Sequence, residues 1–399
     1  MSKWKTCTLA EIGEIVGGAT PSTKDKLNYE NGTISWITPK DLSTHSGRYI
    51  SRGERMITEN GMNSCSTRLL PKNSILFSSR APIGYIAIAQ NEMCTNQGFK
   101  SIIPNSDMDY LFIYYLLLFN KDNIENMGSG TTFKEVSGNT MKSINVSIPE
   151  SIDEQRKIAS ILSSIDDKIE LNNKINENLL QQAVAIFDNA LEQSKHISHA
   201  ELGSFADVKG GKRLPKGVNL ITTPNLHPYI RVRDLNDVVF ASLSANYEYV
   251  DDETQKTISR YITSTGDVLI SIVGTIGLTA IVDKSLDKAN LTENCVKVTN
   301  LRGVSPEYLI LFLRSQNGVK EIQKGTVGAV QAKLPIKNIQ SINIPLLPQS
   351  EMQSLNNTLT TLFSQISTNT AESKCLAGIR DSLLPQLMNG EIDVSEVQI

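Results

Sequence analysis

The chain repeats itself at an interval of 197 residues, so whatever it folds into must accommodate one design twice. Glu154 and Glu351 open two helical segments, and at that offset Ile165 falls on Leu362, Asn172 on Asn369, Leu179 on Leu376 and Ile186 on Leu383. Upstream, Ala10-Glu11-Ile12-Gly13 recurs as Ala200-Glu201-Leu202-Gly203. Ile75-Leu76-Phe77-Ser78, with Gly84 after it, recurs as Val268-Leu269-Ile270-Ser271 with Gly277. The expected organisation is globular half 1–150, helix 151–198, globular half 199–348, and helix with tail 349–399. A chain of that kind carries its own two-fold symmetry and can hold two similar heads.

Ser151-Ile152-Asp153-Glu154 after Pro149 has the form of a capping box, and Ser350 with Gln353 after Pro348 repeats it. From there Ile158, Ile165, Asn172, Leu179 and Ile186 recur every seven residues. Ile161 and Ile175 take the second seam position, while Leu162, Ile169 and Ala183 widen the stripe. In the second segment Leu355, Leu362, Asn369, Leu376 and Leu383 do the same, flanked by Leu359, Ile366 and Ile379. A seam sustained over several heptads predicts a coiled coil. One such stripe alone would read as the core helix of a globular domain. Two matched copies, with asparagine at the same central position, point to mutual pairing. Buried asparagine costs stability, but it penalises slipped registers in which it would face aliphatic neighbours. With a globular half between the helices, an antiparallel pairing would put one half at each end. Pro385 should kink or end the second helix, and Gly390 suits a C-terminal stop.

At 399 residues, with 40% hydrophobic and 20% charged side chains, the chain can build two or three ordinary folded domains. Cys7, Cys65, Cys94, Cys295 and Cys375 are odd in number and show no C-x-x-C pairing. That argues for a reducing compartment and against a disulfide framework or zinc site. The start, MSKWKTCTLAEIG, lacks the apolar core of a signal peptide, and the longest apolar run, Tyr110 to Phe119, is far short of a bilayer span. A cytoplasmic location is expected. The net charge of −3 opposes a nucleic-acid partner until it is resolved by segment. Residues 1–150 hold 15 Lys+Arg against 14 Asp+Glu, and residues 200–348 hold 17 against 14. Residues 151–199 hold 5 against 8, and residues 349–399 hold 2 against 6. The acid sits in the helical segments and the globular halves are mildly basic, which permits DNA binding without demonstrating it.

Each half opens with a short apolar helix and a glycine pair, Gly17-Gly18 and Gly210-Gly211. Short strands are predicted at Ile34 to Thr38, Ser74 to Phe77 and Gly84 to Ala89, with counterparts at Pro228 to Val232, Asp267 to Ile272 and Leu278 to Val282. A helix near Asp109 to Phe119 pairs with one at Glu307 to Arg314. The reading is α+β.

Catalytic motifs are missing. There is no G-x-x-x-x-G-K-[ST] phosphate loop, no N-P-P-[YF]-type adenine-methylation loop, and no glycine-rich methyl-donor site. Asp166-Asp167-Lys168 has the D-x-K spacing of a metal-dependent nuclease, but it lies on the heptad helix, where a solvated face is expected. His196 and His199 could share a metal, yet they sit in a linker without a thiol or carboxylate cluster. Four histidines supply no plausible nucleophile–base pair.

Several strings nevertheless belong together: GGATPS at Gly17–Ser22, ILFSSRAPIGYIAIA at Ile75–Ala89, NQGFK at Asn96–Lys100 and GTTFKEVSGNTMKSINVSIP at Gly130–Pro149. With the following EQRKIASIL and the terminal RDSLLPQLMNGEI at Arg380–Ile392, the chain resembles the specificity subunit of Type I restriction–modification enzymes over essentially its whole length. That resemblance implies two pseudo-symmetric target recognition domains separated by a long antiparallel two-helix coiled coil, with each domain reading half of a split, asymmetric double-stranded DNA site. It also implies a chain without catalysis of its own, on which two methyltransferase subunits dock along the helices and restriction/translocase subunits join the full complex. S-adenosylmethionine, ATP and Mg would then belong to the partners. The second half departs from the pattern, with GTVGAVQAKLPIKNIQ at Gly325–Gln340 in place of the TTFKEVS string and GGKRLPKG in place of GGATPS. The Type I subfamily, the target bases and their gap stay open.

Base readers must offer planar polar groups and backbone holders must offer cations or hydroxyls. Lys40-Asp41 aligns with Arg233-Asp234, and Arg231 stands two residues earlier. Arg80 leaves a strand toward the Gly84 turn; its copy has no arginine. Thr131, Thr132 and Lys134, and opposite them Gln331 and Lys333, follow a glycine that frees a loop to approach a duplex. Lys100 and Lys297 align after Gln97 and Asn294. For each residue alone a solvated surface charge or turn residue is the plain alternative; as a set they mark the expected DNA-facing edge. A self-contained enzyme and a protein-binding adaptor are the competing readings. Turnover of methyl donor by the chain alone would favour the first of these, and a modified sequence unchanged after swapping the halves would favour the second.

Overall fold

The structure, a computed structural model, describes residues 3–45, 47–80, 82–130, 134–244, 246–328 and 331–397. The chain forms two compact units, Met1–Leu171 with Glu372–Ile399, and Asn172–Ala371. Each unit takes one half of each long helix, so the four segments expected from the sequence merge into two.

In the first unit a five-stranded sheet runs in the order Gly13–Gly17, Lys100–Pro104, Ile75–Ser79, Ile83–Ala89 and Tyr49–Ile50. The first four strands pair antiparallel, and the last lies parallel to its neighbour. The second unit repeats the order and the directions with Asp207–Gly210, Cys295–Thr299, Val268–Ser271, Thr279–Val282 and Phe240–Ala241. The central strands are apolar at successive positions because both sheet faces are covered, and alternate side chains enter different cores. Ile75 and Phe77 join Phe112 and Tyr115, while Leu76 joins Ala87 and Phe99. Val268 and Ile270 pack with Tyr308, and Leu269 packs with Ala280. The covering helices are Tyr110–Phe119, where the Phe112 N–H donates to Asp109 at 2.9 Å, and Pro306–Arg314, where the Tyr308 N–H donates to Ser305 at 3.2 Å. A ribbon ties the termini of each half, Trp4–Thr8 with Asn145–Pro149 and Ser198–Glu201 with Asn343–Leu346. The fold is α+β.

The long helices are Ile152–Gln193 and Gln349–Met388, of 42 and 40 residues. Within the first unit Lys157 donates to the Ser395 carbonyl at 2.6 Å, Arg380 to Asp166 at 2.7 Å, and Lys168 meets Glu372 at 3.2 Å. Within the second, Asn172 donates to the Asn369 carbonyl at 3.4 Å, Asn369 donates to Asn176 at 2.9 Å, and Ile186, Ala190 and Gln193 share a groove with Glu351, Ser354 and Leu355. Rising numbers meet falling ones in both units: the pairing is antiparallel, and the two asparagines are buried as the register argument requires.

Three expectations are corrected. The seven-residue seam holds at Ile158, Asn172, Leu355 and Asn369, but Ile165, Leu179, Leu362 and Leu376 are half-buried and Ile175, Ile186 and Ile379 are exposed. An undistorted helix turns once in 3.6 residues, so a seven-residue stripe drifts by about 20° per heptad. Full burial falls on Leu162 and Ala183, both expected to widen the stripe, and on Phe187, which the heptad pattern does not include. Ser350 lies inside the helix, which begins at Gln349. Pro385 does not stop that helix; it lies within the last turns, and Leu387 and Met388 beyond it are buried in the first unit's core. Gly390, at φ +69°, follows the helix end in the left-handed conformation that glycine tolerates.

Asp166-Asp167-Lys168 is only in part the solvated face expected of it: Asp167 and Lys168 are exposed, and Asp166 is not. Asp166 is buried and accepts from Arg380 and from the Tyr115 hydroxyl at 2.6 Å, Asp167 pairs with Arg48, and Arg48 also donates to Glu170 at 2.9 Å. Neither aspartate is placed to hold a metal; their partners are structural.

Candidate nucleic-acid interface

In each unit four loop segments meet at one end of the five-stranded sheet. In the first, the Asn96 N–H donates to the Ile37 carbonyl at 3.0 Å, the Ser79 N–H to Gly98 at 2.7 Å, and the Val136 N–H to Ser79 at 2.9 Å. In the second, Thr292 donates to Ile230 at 3.1 Å, Ile272 to Asn294 at 2.8 Å, and Leu334 to Ile272 at 3.0 Å. These are the same three bonds between counterpart loops. A serine locks each tight turn off the third strand. Ser78 donates to the Pro82 carbonyl at 2.8 Å and accepts from the Tyr85 N–H, and Ser271 donates to the Thr275 carbonyl at 2.6 Å and accepts from the Leu278 N–H. Gly84 and Gly277, at φ +93° and +89°, close these turns.

A hairpin brings the fourth segment in. Ser129 and Glu135 exchange backbone bonds at 3.1 and 2.9 Å, and Val327 and Lys333 do so at 2.9 Å each. Glu135 bridges in turn to Arg80, and Lys333 to Val273. So Arg80 corresponds to Val273 and Glu135 to Lys333: the same scaffold carries arginine and glutamate in one unit, valine and lysine in the other. The pairs that close the two hairpins, Ser129 with Glu135 and Val327 with Lys333, occupy equivalent places although their sequences look unrelated. Thr131 and Thr132 lie outside the described residues. Lys134 and Gln331 are exposed on these loops, as is Lys333.

The turn after the Ile34–Ile37 strand carries Lys40, and its counterpart carries Arg233. Asp41 accepts from the Thr38 N–H at 2.7 Å, and Asp234 accepts from the Arg231 N–H at 2.7 Å. Lys40 pairs with Glu54 at 2.7 Å, which raises its pKa, and Arg233 pairs with Glu248 at 2.8 Å. Arg231, at the position of Thr38, also pairs with Glu248; burial, with Arg233 alongside, lowers its pKa. Lys100 is largely buried, 3.5 Å from both Ser79 and Glu135. Lys297 is 13% exposed and pairs at 3.0 Å with buried Asp267, which makes it a brace inside the sheet rather than a free cation.

The acidic partners Glu54, Glu135 and Glu248 escaped the sequence reading, although Glu54 and Glu248 stand at almost the same offset as Lys40 and Arg233. Arg55, stacked 4.4 Å over the Tyr29 ring, and Arg213, paired with Glu293 at 2.7 Å, carried no motif. The doubled glycines have a packing reason. A Cβ on Gly18 would collide with the Thr95 carbonyl, and one on Gly211 with that of Thr292.

The model of the Type I restriction modification DNA specificity domain matches residues 1–181 and again residues 197–376. The chain belongs to the Type I restriction–modification specificity-subunit family. It is 32% identical to the MjaIX specificity subunit of Methanocaldococcus jannaschii over 99% of this chain and 94% of that protein. The EcoR124I/EcoR124II specificity subunit of Escherichia coli is 35% identical over 44% of this chain and 43% of that protein. The crystal structure of a Type I restriction-modification system S subunit from M. genitalium matches with a TM-score of 0.60, covering 97% of this chain and 96% of that one. At 16% identity that likeness is one of fold. The chain is thus a non-catalytic specificity subunit with DNA-recognition domains, and the two sheet-end loop clusters lie one in each. Among the described residues no helix is long and apolar enough to cross a membrane, and no group of three or more His, Cys, Asp or Glu could hold a metal ion.

Proposed function

We propose that each domain reads one half of an asymmetric, two-part double-stranded DNA sequence with its sheet-end loops. The observation that carries this reading is a constant scaffold with changed side chains. Equivalent loops present Thr38, Lys40, Arg80 and Lys134 in one domain, and Arg231, Arg233, Gln331 and Lys333 in the other. Guanidinium and amide groups suit base edges, and lysines and hydroxyls suit phosphates. Thr131 and Thr132 belong to the same proposed set, Lys100 supports it from beneath, and Lys297 is left out because its ammonium serves Asp267.

The helix pair serves as spacer and as the docking surface for two methyltransferase subunits, and restriction/translocase subunits complete the complex. S-adenosylmethionine, ATP and Mg act on those partners. Mapping methylated adenines in a host that expresses this chain with its partner subunits tests the reading. The expected result is two unlike short motifs separated by a fixed gap of unread bases; one continuous motif contradicts it.

A further inference from the structure

Two cations of the proposed site in each domain are held by carboxylate: one glutamate stands between them. Glu135 lies 3.5 Å from Lys100 through one carboxylate oxygen and 3.7 Å from Arg80 through the other. Glu248 takes both Arg231 and Arg233, the latter at 2.8 Å. The two glutamates are not sequence counterparts, since Glu248 answers to Glu54 and Glu135 to Lys333. The two domains reach the same arrangement from different positions, one through the hairpin and one through the strand turn. Both side chains keep access to solvent, at 41% and 23% exposure, so a ligand can reach them.

We infer that Glu135 and Glu248 are specificity-determining residues, each holding two cations of its loop cluster, Glu135 the DNA-facing Arg80 with Lys100 beneath it and Glu248 the pair Arg231 and Arg233, and releasing them only to a DNA edge that replaces the lost contacts. The inference rests on the DNA-reading role proposed above. Non-specific duplex binds through its phosphates and releases counterions for each cation it neutralises. A carboxylate in the middle of the cation pair offsets one of its two positive charges and repels the phosphate. A matching base edge is different. The N7 and O6 atoms of guanine accept two N–H groups from one arginine, and the N4 amino group of cytosine donates to the glutamate itself. Rejecting the wrong ligand contributes to specificity as directly as gripping the right one.

The test uses the full chain with Glu135→Gln and Glu248→Gln, which keep side-chain size and an acceptor oxygen while removing the charge. Binding is measured by fluorescence anisotropy across a salt series, on a duplex carrying the mapped motif and on one lacking it. Each variant should bind the motif-free duplex about tenfold more tightly, with a salt slope steeper by about one to two. The motif duplex should gain less, so that the ratio between the two falls. Adding Arg231→Gln and Arg233→Gln to Glu248→Gln should erase its gain. If the wild-type chain prefers its motif and neither glutamine variant tightens motif-free binding, the inference is overturned while the DNA-reading role stands. If the wild-type chain shows no preference between the duplexes, both fall. Should one variant fail to fold, the other, in a separate domain, decides.

Discussion

Arginine at 231, where the other domain has Thr38, is the residue-scale difference with the clearest consequence. Both positions open an aspartate-capped turn, and only the arginine extends a charged fork from it. Arg231→Ala or Arg233→Ala should relax one half of the methylated motif, by about 1–3 kcal/mol if the lost contact is bidentate to a base. Methylome sequencing checks this; equal loss at both halves would show that the contact is misassigned. The alignment of Lys40 with Arg233 is legible in the sequence because both follow the same strand. Their glutamate partners lie 14 and 15 residues further on, brought there by tertiary folding that no local pattern announces. Thiols give a second prediction. Burial pushes Cys94 up to about 11 and Cys295 up to about 12, while Cys375 is exposed. At about pH 8 an alkylating reagent should therefore label Cys375 first, and Cys94 and Cys295 only in denaturant. The neutral thiols favour the folded state. That contribution is complete below the unfolded thiol range near ~8.5 and is lost as pH climbs toward the raised values. Native labelling of Cys295 at the rate of Cys375 would contradict the packing described.

At the scale of elements, the two domains join their helices by different chemistry. In the first unit buried Arg48 reaches out to Asp167 and Glu170 in one joint, and buried Asp166 and Tyr115 meet Arg380 in another. In the second unit Val239 stands where Arg48 does, and Phe240 packs edge-on against Phe363 at 6.2 Å. Removing one partner from a buried ion pair strands the other, so Asp166→Ala should cost about 3–5 kcal/mol. Phe363→Ala should cost a similar 3–5 kcal/mol through the cavity it leaves. Urea unfolding distinguishes them by salt: added salt should narrow the gap from wild type for Asp166→Ala and leave that for Phe363→Ala unchanged. Equal salt response in both would contradict the contrast. The helices were legible from their apolar stripes and matched asparagines. Their true burial was not, because the heptad rule presumes that each helix faces only its twin. Here Ile158 and Leu162 also pack into one domain core and Ala183 and Phe187 into the other. The charged joints are not legible in the sequence because Asp166 and Asp167 look like an ordinary helix surface until Tyr115 and Arg380 reach the first and Arg48 the second from distant segments.

At the scale of the whole chain, the repeat seen in the sequence is a repeat of topology, down to the order of both five-stranded sheets. The spacer proposal makes a mechanical prediction. Inserting four residues into each long helix adds roughly 6 Å, about two base-pair steps at ~3.4 Å. The gap in the methylated motif should lengthen while its two halves keep their sequences. Changed half-motifs with an unchanged gap would remove the helices from the role of ruler. The most direct measurement replaces residues 199–348 with the equivalent domain of a relative that methylates a different motif, and maps methylated adenines in the host. One half of the motif should change to that of the donor while the other half persists. An unchanged motif, or two altered halves, would contradict the assignment of one half-site to each domain.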